Sequence, residues 1–227
     1  MIIWWWWCLV HVLNMVGADP QTKLLNEGCS QYNATDASEF HTNLNATFSN
    51  LRSELTANNK HFATAQQVTG SNGVYAMAQC RNYLSTADCA ACFAVAVSKI
   101  RNCSANAANG ARVIYDGCFL RYESSGFFDQ TTQAGNTGVC GNQTVSVATA
   151  AFNAAVESMI SDLLTATPKV NGFFAATNEQ VTGGIGNATM VYGVAQCAET
   201  ITDTGCEDCL KVAYCHGLVE NPQAVRP

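Results

Sequence analysis

Between Ser38 and Leu55 the apolar positions Phe40, Leu44, Phe48, Leu51 and Leu55 recur every three or four residues, with polar side chains between them. That period puts all five on one face of a helix and leaves the opposite face to solvent. The stretch from Val145 to Leu164 repeats the pattern with Phe152, Val156, Met159, Ile160, Leu163 and Leu164. Another helix is expected to start near Ser85, where Ser-Thr-Ala-Asp supplies an N-cap, and to carry Cys89, Cys92, Val95 and Ile100; Thr202-Asp203 opens its copy. Apolar, β-branched and aromatic residues concentrate instead at 62–68, 74–80, 112–115 and 118–123, which read as strands. Helices segregated from antiparallel strands make an α+β fold, with the helices packed on one face of the sheet.

The pattern occurs twice. Val74-Tyr-Ala-Met-Ala-Gln-Cys80 matches Val191-Tyr-Gly-Val-Ala-Gln-Cys197, and each continues with the spacing C-x8-C-x2-C (Cys80, Cys89, Cys92; Cys197, Cys206, Cys209). Upstream, Phe62-Ala-Thr-Ala65 matches Phe174-Ala-Ala-Thr177, and single cysteines stand at Cys29 and Cys140. A duplicated unit of about 100 residues means two domains. The expected units are residues 22–127 and 139–227, joined by a linker at 128–138 rich in Gly, Thr and Asn.

Composition narrows the function classes. Charged residues are 12% of the 227, about half the usual share of about 25%, and hydrophobic ones 48%, so there is ample apolar material for packed cores. Net charge is −6, with Lys and Arg scattered, which argues against a nucleic-acid-binding surface. Residues 1–18 read as a signal peptide: an apolar run from Met1 to Val16, then the small residues Gly17 and Ala18. No later stretch has the 18 uninterrupted apolar residues of a membrane span. Sequons at Asn33, Asn45, Asn102, Asn142 and Asn187 agree with export, Asn102 being the poorest acceptor because a cysteine follows it.

Twelve cysteines in an exported chain point to a disulfide framework. Zinc would need ligand spacing that His11, His41, His61 and His216 do not provide, so no metal and no cofactor is expected. A thioredoxin-like dithiol would want a βαβ context, which is absent. Two cysteines three apart on one helix face more naturally staple it to different strands than to each other. The six cysteines of the first unit still allow 15 connectivities.

The C-x8-C-x2-C spacing, with Gly110-Ala-Arg112 and Cys118-Phe-Leu-Arg-Tyr-Glu123 downstream, resembles the plant ginkbilobin-2-homologous domain, also called DUF26 or the cysteine-rich repeat. That domain occurs in cysteine-rich receptor-like kinases, plasmodesmata-located proteins and cysteine-rich repeat secretory proteins, and singly in the antifungal lectin ginkbilobin. The resemblance runs from Cys29 to about Phe127 in the first unit and from Cys140 to about Tyr214 in the second. It implies two helices on an antiparallel sheet of about five strands in each unit, with the second unit short of about two strands. It also implies the bridges Cys29–Cys103, Cys80–Cys89, Cys92–Cys118 and Cys197–Cys206. Cys140, Cys209 and Cys215 then compete for one bond; the expected pairing is Cys140–Cys215, with Cys209 left over. The residues from Cys215 onward resemble nothing in the first unit and read as a splice or frameshift product.

In ginkbilobin an Asn, an Arg and a Glu hold mannose, and the matching positions here are Ser30, Arg112 and Glu123. Guanidinium and carboxylate suit sugar hydroxyls, although Ser30 lacks the amide fork of Asn. The plain alternative for Arg112 and Glu123 is a cross-strand ion pair. The sequence holds no G-x-S-x-G, H-E-x-x-H, P-loop or kinase signature. The leading expectation is therefore a secreted, non-enzymatic binding module of the apoplast. It resembles a receptor-like-kinase ectodomain without span or kinase and serves in extracellular recognition or defence signalling. Its expected partners are a cell-wall or mannose-type glycan and a receptor ectodomain. The alternatives are a mannose-binding antifungal lectin and, less favoured, a thiol oxidoreductase using Cys89 and Cys92.

Overall fold

The computed structural model describes residues 21–57, 60–132, 147–182 and 189–219, the last five by their backbone alone. The expected signal peptide, Cys140, Asn142, Asn187, the linker beyond 132 and the Cys215 side chain lie outside the described residues.

The first unit runs β1 (Leu24–Cys29), α1 (Ala37–Ala57), β2 (Phe62–Gln67), β3 (Val74–Cys80), α2 (Thr86–Ser104), β4 (Gly110–Tyr115) and β5 (Cys118–Glu123). Its strands form one antiparallel sheet in the order β1-β4-β5-β3-β2. Helix α1 starts where Asp36 Oδ1 accepts the N–H groups of Ser38 and Glu39, at 2.9 and 3.0 Å. All five apolar residues of its stripe are buried, and Phe40 and Phe48 pack their rings on Tyr122 of β5 at 5.9 and 6.1 Å. Ser85 caps α2: its Oγ accepts the Asp88 N–H at 3.1 Å and donates to Asp88 Oδ2 at 2.6 Å. The buried stripe of α2 is Cys89, Cys92, Phe93, Ala96, Ile100 and Cys103. Val95, expected among the apolar positions of this helix, is 40% exposed, because the three-to-four-residue period from Cys92 passes through Ala96 instead.

Three bridges hold this layer to the sheet. Cys89 is bonded to Cys80 at the end of β3, and Cys92 to Cys118 at the start of β5. Cys80 and Cys118 are register partners, so the two bridges leave one face of α2 for two adjacent strands. Cys103 closes the far end of the helix onto Cys29 of β1.

The second unit repeats the plan with α3 (Thr149–Ala166), β6 (Phe174–Val181), β7 (Thr189–Gln196) and α4 (Asp203–Val219). Among the described residues its sheet has two antiparallel strands, β6 and β7, against five in the first unit. Cys197–Cys206 reproduces Cys80–Cys89 at the same sequence separation of 9. Gly193 stands where β3 has Ala76, and a Cβ there would approach Met159 Sδ at 2.7 Å, so the Met159 side chain of α3 packs directly over this strand position. Helix α4, the counterpart of α2, continues through Val219, so the backbone remains helical past Cys215.

The units meet through equivalent residues. Gln79 Nε2 donates to the Cys197 carbonyl at 2.9 Å, and Gln196 Nε2 to the Cys80 carbonyl at 3.0 Å. Gln196 also reaches Asn82 Oδ1 at 3.0 Å. Among the described residues no helix is long and apolar enough to cross a membrane.

Candidate functional site

The sheet face turned away from the helices carries the long polar side chains of the first unit. Gly28 is paired with Arg112, Arg112 with Arg121, and Gly110 with Glu123, so these residues share one face of β1, β4 and β5. Gly110 is what lets the Glu123 side chain lie across β4, while Gly28 leaves ordinary contact room beside Arg112. A Cβ at Gly110 would overlap the Glu123 carboxylate, and one at Gly28 would touch Arg112 Nε at 3.8 Å. Just past β1, the Ser30 N–H donates to the Gly110 carbonyl at 2.7 Å, bringing Ser30 to the same spot. Ser30 Oγ accepts the Tyr32 N–H at 3.0 Å, which fixes the hydroxyl oxygen while its proton can still donate. Ser30, Arg112 and Glu123 thus line one cleft of about 320 Å³ at the sheet edge.

Within that cleft Glu123 takes an arginine partner that the sequence reading did not name. Glu123 Oε1 accepts from Arg121 Nε at 2.8 Å, two residues back on its own strand, with side-chain exposures of 27% and 10%. Strand geometry explains it: residues i and i+2 share a face, whereas the register sets Glu123 opposite Gly110. Arg121 is further held by Gln130 Oε1 at 2.9 Å and by the Phe127 ring, 4.1 Å from its guanidinium carbon. Arg121 is the residue that sequence reasoning missed; the signal for it was Arg-Tyr-Glu at period two. Behind the cleft, burial first and the Glu123 charge second push the Tyr122 phenol far above its usual range. It stays protonated and donates to the Ala108 carbonyl at 2.9 Å, a structural role.

A dithiol reaction would need Cys89 and Cys92 as one reducible pair, yet each is bonded to a different strand and buried. Cys209, the counterpart of Cys92, is a free thiol whose burial raises its pKa and disfavours the thiolate. Among the described residues no three His, Cys, Asp or Glu side chains cluster as metal ligands. The side chains of Asn33, Asn45 and Asn102 are exposed, the latter two on α1 and α2, with Asn45 Oδ1 accepting from Arg101 Nη2 at 2.9 Å.

This architecture is shared with known proteins. The chain aligns over 87% of its length with the tandem DUF26 ectodomain of a cysteine-rich receptor-like protein of Arabidopsis thaliana, at a TM-score of 0.68, 23% identity and 88% coverage of that structure. Plasmodesmata-located protein 6 of Arabidopsis thaliana is 31% identical over 192 residues, which are 82% of this chain and 60% of that protein. Cysteine-rich receptor-like protein kinase 2 of the same plant is 26% identical over 205 residues, 90% of this chain but 30% of the kinase. An antimicrobial ginkbilobin-2-like protein of Castanea crenata is 28% identical over 207 residues, covering 90% of this chain and 79% of that protein. The chain therefore spans less than two thirds of the plasmodesmal and kinase relatives. The sequence pattern of one family matches it twice, over residues 28–125 and 139–224, and the chain belongs to that family, described as salt stress response/antifungal.

Proposed function

We propose that the chain is an extracellular, non-enzymatic recognition module that takes a saccharide in the cleft between β1, β4 and β5. The supporting observation is the convergence of Ser30, Arg112 and Glu123 over two glycines in one polar cavity. A guanidinium supplies paired donors, a carboxylate supplies acceptors and a hydroxyl supplies either, which is the complement of vicinal sugar hydroxyls. A disulfide framework of this density suits an oxidising compartment, and we place the protein in the apoplast, in recognition or defence signalling, with a receptor ectodomain as the protein partner.

The likeness to an antimicrobial ginkbilobin-2-like protein, together with the match of Ser30, Arg112 and Glu123 to ginkbilobin's mannose positions, supports a second reading, a mannose-binding antifungal lectin. Ser30 is the weak point of that reading, since a hydroxyl offers one donor where an amide offers two. A glycan array probed with the intact chain and with Arg112→Ala separates the outcomes. Saccharide binding that Arg112→Ala abolishes is expected, and a signal confined to mannose-terminated glycans selects the lectin. No binding, or binding indifferent to Arg112→Ala, overturns the site.

A further inference from the structure

The acidic chain gathers three guanidiniums in one place. Arg81, Arg112 and Arg121 line a second cavity, of about 350 Å³, formed where the first sheet meets the second unit beside Gln79 and Gln196. These are three of only 11 Lys and Arg residues in a chain of net charge −6, and among the described residues the lining contains no carboxylate. Glu123, on the neighbouring cleft, engages Arg121, and the Asp116 carbonyl holds Arg81 Nε at 3.2 Å. The lining itself therefore offers positive groups and neutral polar ones.

Arg112 and Arg121 are direct register partners, so their side chains leave adjacent strands on the same face of the sheet. Arg121 commits two of its five N–H donors to Glu123 and Gln130. Neutral groups surround the guanidiniums: the amides of Gln79, Gln130 and Gln196 and the hydroxyls of Thr131 and Thr132. A ligand complementary to this lining carries an anionic group for the arginines and hydroxyls for the amides. Inorganic anions would leave the second set unused.

We propose that the cavity between the two units is a second ligand site that binds the carboxylate of an acidic saccharide. The site does not rest on the edge cleft accepting a neutral sugar, although Arg112 lines both cavities. Of these two cavities Arg81 lines the one between the units and Glu123 the edge cleft. That division makes the two sites separable by substitution.

Titration calorimetry of the intact chain with trigalacturonate and with its methyl ester is the test. The acid should bind and the ester should bind at least about tenfold more weakly, since charge-assisted hydrogen bonds are lost. Arg81→Gln should weaken the acid about tenfold and leave any neutral glycan of the edge cleft unaffected. Glu123→Gln should tighten the acid severalfold by releasing Arg121 from its counter-charge, while weakening the neutral glycan. Equal affinity for acid and ester in the unmodified chain overturns the proposal without any variant having to fold. So does displacement of trigalacturonate by equimolar sulfate, which would make the cavity a general anion site.

Discussion

Removing the Cys29–Cys103 bridge should destabilise the first unit more than removing Cys80–Cys89, although packing alone predicts the opposite order. The two bridges close loops with sequence separations of 74 and 9. Loop-closure entropy gives about 4.5 kcal/mol for the first and about 2.7 kcal/mol for the second. Burial pulls the other way. Cys80 and Cys89 are 2% and 0% exposed, while of the first pair only Cys103, at 6%, is buried and Cys29 is exposed. Truncating one additional buried sulfur costs about 1 kcal/mol, near the value of a buried methylene with its void. The long bridge should therefore win by about 1 kcal/mol. The paired variants Cys29→Ala/Cys103→Ala and Cys80→Ala/Cys89→Ala avoid stray thiols. Hydrogen exchange of the central β4 and β5 amides reads the global opening of this unit without interference from the second. Equal free energies, or a larger loss in the Cys80/Cys89 pair, would refute the dominance of chain entropy.

Gly110→Ala should leave the melting temperature within a few degrees yet abolish glycan binding at the edge cleft, because its Cβ displaces only the flexible Glu123 carboxylate; unchanged array signals would count against the cleft. The reciprocal amides Gln79 and Gln196 should each contribute about 1 kcal/mol to the inter-unit contact. Gln79→Ala should therefore speed hydrogen exchange of β7 with little change at β4. The Glu39 carboxyl is held below its ordinary value of 4.5 by the Asn72 side chain and then its backbone N–H, which donate at 3.0 and 2.5 Å. A depressed carboxyl stabilises above its unfolded pKa and loses that contribution as pH falls through the folded value. The melting-temperature gap between the native chain and Glu39→Gln should therefore be constant near pH 7 and close below about pH 4.

What could be read in the sequence follows from how local each signal is. Helix α1 was legible because five large apolar residues repeat at helical period, and each of them is buried. The helix-to-strand bridges were suggested by two cysteines three residues apart, a relation internal to one helix. Strand β1 was not anticipated from its residues: Leu-Leu-Asn-Glu-Gly-Cys does not alternate, and its pairing with β4 shifts register between Leu24 and Asn26. The edge cleft was legible as a set of residue types but not as a set of contacts. Whether Glu123 faces Arg112 or Gly110 depends on register, and a slip of one residue inverts every face. The cavity between the units depends on docking, of which the sequence shows only the equivalence of Gln79 and Gln196.

That equivalence also explains why the ligand chemistry is asymmetric in a chain built by duplication. Each glutamine precedes a bonded cysteine and donates to the carbonyl of the other unit's cysteine, the reciprocal contact that a two-fold relation produces. Past this contact the units diverge. Met77 of β3 is 5% exposed and Tyr75 lies against the Phe128 ring, while their counterparts Val194 and Tyr192 on β7 are 46% and 75% exposed. The arginine pair belongs to β4 and β5, which among the described residues have no equivalent beside β7. The first unit therefore supplies the recognising side chains, and the second, clasped at Gln79 and Gln196, supplies a wall of the arginine cavity. If that division holds, loosening the clasp with Gln196→Ala should weaken trigalacturonate and leave the edge cleft's neutral glycan untouched. Loss of both ligands together would mean that the two cavities act as one site.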